Sequence, residues 1–229
     1  MSDIKLLTQN SDLKKTGFYG WTLPAHCVKL SNGEKFNTCP SAGICGAFCY
    51  AKNGTYLFKN VMKAHIKKLE LVLYEPDKWK AMMNDELLKK KYNGKYIRIH
   101  DGGDFYSEDY ALMWLDIAKS NPQCTFYAYT KEVKMFKEDI SNMIPNNFIV
   151  IYSYGGKQDD LIDRENDRHS DVFPDYDEMI KLGYKDIEED DKLSAIHPNK
   201  KVGLYRNNIK HFIKKQGDKK FSEWQNKNE

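Results

Sequence analysis

The sequence predicts an α/β protein in which helices surround a mostly parallel sheet. Three apolar segments with strand character follow one another at 96–100, 125–130 and 148–153, and helical patterns lie between them. Strands that alternate with helices over short connections usually pair in parallel. We therefore predict either an incomplete (βα) barrel, called a partial (βα) barrel below, or an open α/β sheet.

Upstream of these strands, the chain is predicted to be extended first and helical afterwards. Residues 20–30 have an extended pattern and lead into a turn at 31–33. Apolar residues at three- and four-residue steps predict a helix over 56–74, which Pro76 ends. A second helix is predicted from 77 to about 92.

The helices between the apolar strands are predicted at 107–119 and 131–143. Ser107 is a suitable N-cap for the first, because acidic residues follow it in the first turn. Beyond the third strand the pattern weakens, and we predict a short helix at 176–182, a last strand at 201–205 and a last helix at 207–216.

Length and composition favour one ordinary globular domain spanning residues 1–229. The chain is 41% hydrophobic and 30% charged, within the range of soluble proteins, and it is long enough to bury a full core. Within this domain we expect a cysteine loop at 36–52, an α/β core at about 18–156 and 201–216, and a polar, lid-like region at about 157–195.

Charge and hydropathy argue against nucleic-acid and membrane partners, and the number of cysteines indicates the cellular location. The net charge of +3 is too small to indicate a nucleic-acid partner, and no aromatic–basic platform for single strands is visible. No apolar run reaches the roughly 20 residues of a membrane span. Five cysteines, an odd number in a chain of this size, favour a reducing, cytoplasmic location.

Three cysteines form the most informative motif. Cys39, Cys45 and Cys49 follow a C-x5-C-x3-C spacing in a loop rich in small residues, which suits one soft metal centre. Structural zinc usually takes four protein ligands, whereas a [4Fe-4S] cube with one open iron needs only three cysteines. A metal centre is favoured over two alternatives, unligated thiols buried as small apolar groups and a disulfide.

Five further residues are candidates for a fourth metal ligand. Cys124 begins a strand, at the opposite end from the predicted site, and is interpreted as structural. Cys27 is interpreted as an ordinary strand cysteine in preference to a ligand. The remaining candidates are His26, His65 and His169.

Polar residues and paired glycines follow the predicted strands, where parallel α/β folds collect their ligands. Each has a structural alternative: the glycines supply a tight turn, His100 is a core histidine, and the aspartates cap the next helix. Arg98 is either an anion partner or a salt-bridge member. Together these residues predict a binding site formed by His100, Asp101, Gly102, Gly103, Asp104, Tyr129, Lys131, Ser153, Gly155 and Gly156.

Four blocks in this order, at 38–51, 98–105, 126–131 and 153–156, resemble the gene product 88 family of bacteriophages and prophages. The resemblance covers roughly residues 18–205. It implies that Cys39, Cys45 and Cys49 are iron–sulfur ligands. It also implies a phage-encoded protein, located in the cytoplasm of the infected host cell.

A wider resemblance is to the radical S-adenosylmethionine enzymes, which hold an open-site [4Fe-4S] cube on three cysteines in a partial (βα) barrel. Gly102, Gly103 and Asp104 are similar to the glycine motif that binds the methionine amino group. Residues 153–156 fall where such enzymes contact the ribose or carboxylate. The cysteine spacing differs from the C-x3-C-x2-C of those enzymes.

These resemblances imply an open-cluster protein that catalyses radical or redox chemistry, with no catalytic residue identified. Its cofactors would be a [4Fe-4S] cluster and S-adenosylmethionine, and its partners a small molecule at the open iron and an electron donor. The alternatives are a non-catalytic iron–sulfur protein for electron transfer or redox sensing, a zinc-binding module, and a metal-free α/β protein.

Overall fold

A computed structural model describes residues 4–187, 192–206 and 209–224 of the chain. Nine strands are assigned within these ranges: β1 Tyr19–Trp21, β2 Cys27–Lys29, β3 Lys35–Asn37, β4 Tyr96–Ile99, β5 Thr125–Thr130, β6 Phe148–Ser153, β7 His169–Phe173, β8 Lys185–Asp186 and β9 Lys201–Tyr205. Seven of them form one sheet in the order β1-β4-β5-β6-β7-β9-β8, with every pairing parallel. β2 and β3 form a separate antiparallel hairpin.

The α-helices of the described residues are α1 Ser11–Thr16, α2 Lys59–Tyr74, α3 Pro76–Leu87, α4 Glu108–Ser120, α5 Tyr176–Lys181, α6 Lys192–Ile196 and α7 Lys210–Gln216. Helices α2, α3 and α4 cover one face of the sheet and enclose the main core. Its centre is a triad of fully buried tryptophans, Trp21, Trp79 and Trp114, whose ring centroids lie 5.2–6.0 Å apart. In the described ranges, no helix combines the length and apolar character needed to cross a bilayer.

The parallel α/β prediction is confirmed. The three central strands lie where the apolar segments placed them, and Ser107 caps α4 by accepting a hydrogen bond from the Tyr110 N–H at 3.3 Å. The edge strands are β1 and β8, and no pairing between them is found within the described ranges. The incomplete barrel stays a prediction.

Two predicted helices differ in the structure. The segment 131–143 forms a π-helix, Met135–Asp139, and a 3-10 turn, Ser141–Met143, in place of one α-helix. The predicted α-helix does not form at the start of this segment, because the Glu132 side chain accepts hydrogen bonds from Ser41. The predicted helix at 77–92 begins at Pro76 and stops at Leu87, before a 3-10 turn at Lys90–Tyr92.

The polar region at 157–195 contributes a central strand, β7, that the sequence did not indicate. Two of its buried polar side chains, His169 and Asp171, are paired over long range. His169 Nε2 lies 2.9 Å from the Tyr184 hydroxyl, and Ser222 Oγ donates to Asp171 Oδ2 at 2.5 Å. The last helix begins at Lys210; residues 207 and 208 of the predicted helix lie outside the described ranges.

Candidate functional site

The cysteine loop packs on the carboxyl ends of the parallel strands. The N–H groups of Gly43 and Cys45 both donate to the Gly155 carbonyl, each at 3.1 Å, just beyond β6. The Asp104 N–H, beyond β4, donates to the Thr38 carbonyl at 2.9 Å. The predicted strand ends and the loop therefore come together at one edge of the sheet.

Two carboxylates hold the cysteine loop and the turn after β6 in place. Glu132, buried after β5, accepts the Ser41 N–H at 3.0 Å and the Ser41 hydroxyl at 2.8 Å, which ties the loop to the sheet. Asp159 accepts the N–H groups of Gly155 and Gly156, both at 2.8 Å. Burial raises the pKa of both carboxyls, and hydrogen bonds oppose the shift.

Asp104 joins the ends of β4 and β5. It is buried, and its carboxylate accepts the Thr130 hydroxyl at 2.7 Å, the Phe105 N–H at 2.8 Å and the Lys131 N–H at 2.9 Å. Burial raises the pKa of Asp104, while these donors act in the opposite direction. The sequence identified Asp104 as a ligand contact, and the structure shows it holding two strand ends in position.

The prediction of an iron–sulfur centre is wrong, and so is its zinc alternative. Across the described ranges, no three His, Cys, Asp or Glu side chains converge to hold a metal ion. Cys39 Sγ accepts the His26 N–H at 3.3 Å. Burial, followed by the Asp104 charge, raises the Cys39 pKa to about 12. Burial also raises the pKa of Cys45. Metal binding and nucleophilic attack both require thiolates, which this environment disfavours.

Of the candidates for a fourth ligand, His26 contacts the cysteine loop through its main-chain N–H, and the others are exposed or engaged with other residues. Cys124 is buried and its thiol donates to the Tyr92 carbonyl at 3.3 Å, which confirms its structural interpretation. Cys27 is exposed on β2. Burial, followed by the Lys68 charge, lowers the pKa of His65 to about 4, and His169 is engaged with Tyr184.

His100 is a core residue. It is buried against the Phe105 ring, and its Nε2 lies 2.9 Å from the Tyr110 hydroxyl. Burial lowers its pKa to about 3, so the imidazole is neutral at physiological pH. Its φ of 66° turns the chain sharply after β4.

The paired glycines after β4 allow one part of the chain to pack against another. Gly103 has φ of 86°, and a Cβ at this position would lie 2.9 Å from the Leu23 Cβ. At Gly102 a Cβ would lie 3.2 Å from the Leu23 carbonyl oxygen. Their close approach is to the segment that follows β1.

Asp101, beside the glycines, contacts several polar side chains. It forms an ion pair with Arg98 at 3.4 Å and accepts hydrogen bonds from the hydroxyls of Tyr50 and Tyr56. The Arg98 guanidinium also lies 5.4 Å from the centroid of the Tyr129 ring. The structure thus assigns Arg98 to a salt bridge.

Three polar side chains stand in a row across β5, β6 and β7. The Lys131 ammonium donates to Ser153 Oγ at 2.9 Å, and Ser153 is in register with Ser170 on the next strand. Ser170 is 1% exposed, and its hydroxyl has no hydrogen-bond partner within the described ranges. A Cβ at Gly156 would lie 2.9 Å from the Lys131 Cβ, so this glycine makes room for the lysine.

The sequence pointed to Lys131, Ser153 and Gly156 but missed Ser170. The strand that carries Ser170, β7, was not predicted, and a single serine outside a motif does not indicate a binding site. Alternation along β7 and its register with β6 would have placed Ser170 beside Ser153 if the strand had been known.

Comparison with known proteins identifies the family. The sequence model described as "Gene product 88" matches residues 2–227. The chain belongs to the gene product 88 family. Similar proteins include the "Gene 88 protein" of Mycobacterium phage L5, 30% identical over 115 residues, covering 47% of this chain and 48% of that protein. The "Gene 88 protein" of Mycobacterium phage D29 is 28% identical over 131 residues, covering 52% of this chain and 54% of that protein.

The chain thus spans about half the length of these curated relatives of the gene product 88 family. Both are bacteriophage proteins, which supports a bacteriophage origin for this chain. No solved structure matches it. The resemblance to radical S-adenosylmethionine enzymes finds no support in these comparisons.

Proposed function

We propose that this gene product 88 protein binds a small organic anion, through a carboxylate or phosphate group, at the carboxyl ends of β5 and β6 and beside the first residues of β7. The Lys131 ammonium is the charged anchor, and the hydroxyls of Ser153 and Ser170 are the neutral donors. The observation that carries this proposal is the half-buried Lys131 ammonium, whose only hydrogen bond to a described residue goes to a neutral hydroxyl.

The carboxylates near Lys131 are engaged elsewhere. Asp104 accepts the Lys131 main-chain N–H, and Asp159 accepts the N–H groups of Gly155 and Gly156. No carboxylate of the described ranges forms an ion pair with the Lys131 ammonium. A partly dehydrated cation is stabilised by an opposite charge, and a ligand anion would supply it.

Ser170 adds a second reason to expect a polar ligand. Buried hydroxyls almost always have a hydrogen-bond partner, and leaving one unpaired costs about 1–3 kcal/mol. Ser170 lies beside Ser153, which already accepts from Lys131. A ligand oxygen placed at this row would accept from the ammonium and from the Ser170 hydroxyl together.

The cysteine loop gives the site a low dielectric. Cys45 lies close to the row, since its N–H donates to the Gly155 carbonyl and a Cβ at the next residue, Gly156, would lie 2.9 Å from the Lys131 Cβ. Excluding water in this way strengthens each charge–charge contact. The role proposed for the loop is to cover an anion, with the thiols of Cys39 and Cys45 protonated.

Calorimetric titration with phosphate, glycerol phosphate and succinate, at fixed ionic strength, tests the proposal. We expect Lys131→Gln to weaken the binding of the preferred anion by about tenfold or more, because a charge-assisted hydrogen bond contributes about 1.5–3 kcal/mol. Ser170→Ala should weaken it several-fold.

Lys134→Gln is the matched control, since Lys134 is exposed three residues further on and pairs with Asp139. It should bind as the wild type does. Equal binding by wild type and Lys131→Gln, or no binding of any of these anions to the wild type, would overturn the proposal.

A further inference from the structure

A groove lies along the outer side of α2, with a volume of about 390 Å³. We call it the α2 groove. Its apolar residues are Leu57, Met62 and Ile66, and its basic residues are Lys59, Lys63 and Lys67. The groove is lined by α2, the turn before it and Ser31 of the β2–β3 turn, and it contains none of the residues of the proposed anion site.

The apolar part of the α2 groove is unusually open to solvent. Leu57 is 60% exposed, and its neighbour Phe58 is 57% exposed. Met62 and Ile66 are half-buried one and two turns further along α2. Adjacent exposed apolar side chains with a polar border are typical of a surface that binds a protein partner.

The charge of the groove lining is mainly positive, with three lysines and one glutamate. Lys59, Lys63 and Lys67 follow at four-residue steps, so they share one side of α2. The acidic residue of the lining, Glu70, is held by Ser31, whose N–H and hydroxyl donate to it at 2.6 and 3.0 Å. In the described part of the chain, neither Lys59 nor Lys63 forms an ion pair.

We infer that the α2 groove binds an acidic, amphipathic segment of a partner protein. The partner's carboxylates would pair with Lys59 and Lys63, and an apolar side chain would pack against Leu57, Met62 and Ile66. Flexible methionine suits such a groove, because it adapts to different apolar side chains.

The lining favours a polypeptide over a nucleic acid. Single-stranded nucleic acids bind by stacking successive bases on several aromatic rings, whereas the apolar lining of the groove is aliphatic and Phe58 beside it offers a single ring. Phosphates could use the lysines but would leave the apolar residues uncovered. A peptide with both acidic and apolar side chains would use both.

Fluorescence anisotropy with a labelled, short peptide tests this inference. The probe carries Leu at three- and four-residue spacing and Glu elsewhere, and the comparison peptide has Lys in place of Glu. We expect only the acidic peptide to bind. Lys63→Glu should weaken its binding about three- to tenfold. Leu57→Ser should weaken peptide binding similarly. Because Leu57 is exposed, loss of binding in this variant would not be due to unfolding.

Lys119→Glu is the matched charge reversal, on an exposed residue of α4, and should leave peptide binding unchanged. Lys131→Gln should also leave it unchanged, which separates this inference from the proposed anion site. Absence of acidic-peptide binding, or equal binding by Lys63→Glu, would overturn the inference. So would Lys63-dependent binding of an oligonucleotide or of phosphatidylserine vesicles without binding of the peptide.

Discussion

Replacing Asp104 with alanine is expected to lower the free energy of unfolding by about 3–5 kcal/mol. The substitution removes the acceptor of two buried donors, the Thr130 hydroxyl and the Phe105 N–H, and of the half-buried Lys131 N–H. Each buried donor left without a partner costs about 1–3 kcal/mol. Urea unfolding followed by circular dichroism measures the change.

Two milder substitutions should give a graded series. Thr130→Val removes the donor to Asp104 and also the acceptor of the Glu132 N–H, so it should cost about 1–2 kcal/mol. Asp104→Asn keeps the shape of the side chain but sets an amide NH₂ against one of the donors, so its cost should be intermediate. A loss of less than about 1 kcal/mol for Asp104→Ala would show that Asp104 does not hold β4 and β5 together.

Asp171 is expected to make stability fall as the pH rises from about 4 to about 7. Burial raises its folded-state pKa to about 6, against 3.8 for an ordinary aspartate, and Lys220 and the Ser222 donors only partly oppose the shift. The folded protein therefore keeps a proton that the unfolded chain has lost. Two pKa units correspond to about 3 kcal/mol, present below pH 4 and lost above pH 6.

Asp171→Asn isolates this contribution, because the amide stays neutral and its oxygen can still accept the Ser222 and Val172 N–H groups. The difference in unfolding free energy between wild type and variant should shift by about 3 kcal/mol in favour of the variant between pH 4 and pH 7. Denaturant unfolding across this range measures it. The other buried carboxyls titrate in both proteins and cancel, so a constant difference would contradict the assignment.

The central part of the fold could be predicted from the sequence because each of its strands has a recognisable local sequence pattern. β4, β5 and β6 are apolar segments bounded by turns, and Ser107 supplies a recognisable cap for α4. β7 could not be predicted in the same way. His169 and Asp171 look like surface residues until Tyr184 and Ser222, distant in the sequence, are seen to pair with them.

The candidate site could be predicted only in part, for a related reason. The structure places the cysteine loop at the strand ends, but the cysteine spacing does not define where a thiol points. Cys39 turns toward the His26 N–H, and the motif does not form a metal group within the described ranges. Lys131 and Ser153 were named from their position after the strands, while Ser170 depended on an unrecognised strand.

The most direct test of the proposed anion site is to locate a bound anion on the folded protein. In a ¹⁵N nuclear magnetic resonance titration with phosphate at constant ionic strength, we expect the largest shifts at Lys131, Ser153, Ser170 and the N–H groups of Gly155 and Gly156. Lys131→Gln should move their saturation to phosphate concentrations about tenfold or more higher. Shifts confined to Lys59, Lys63 and Lys67 of the α2 groove, or no saturable shift, would contradict an anion site at the carboxyl ends of the strands.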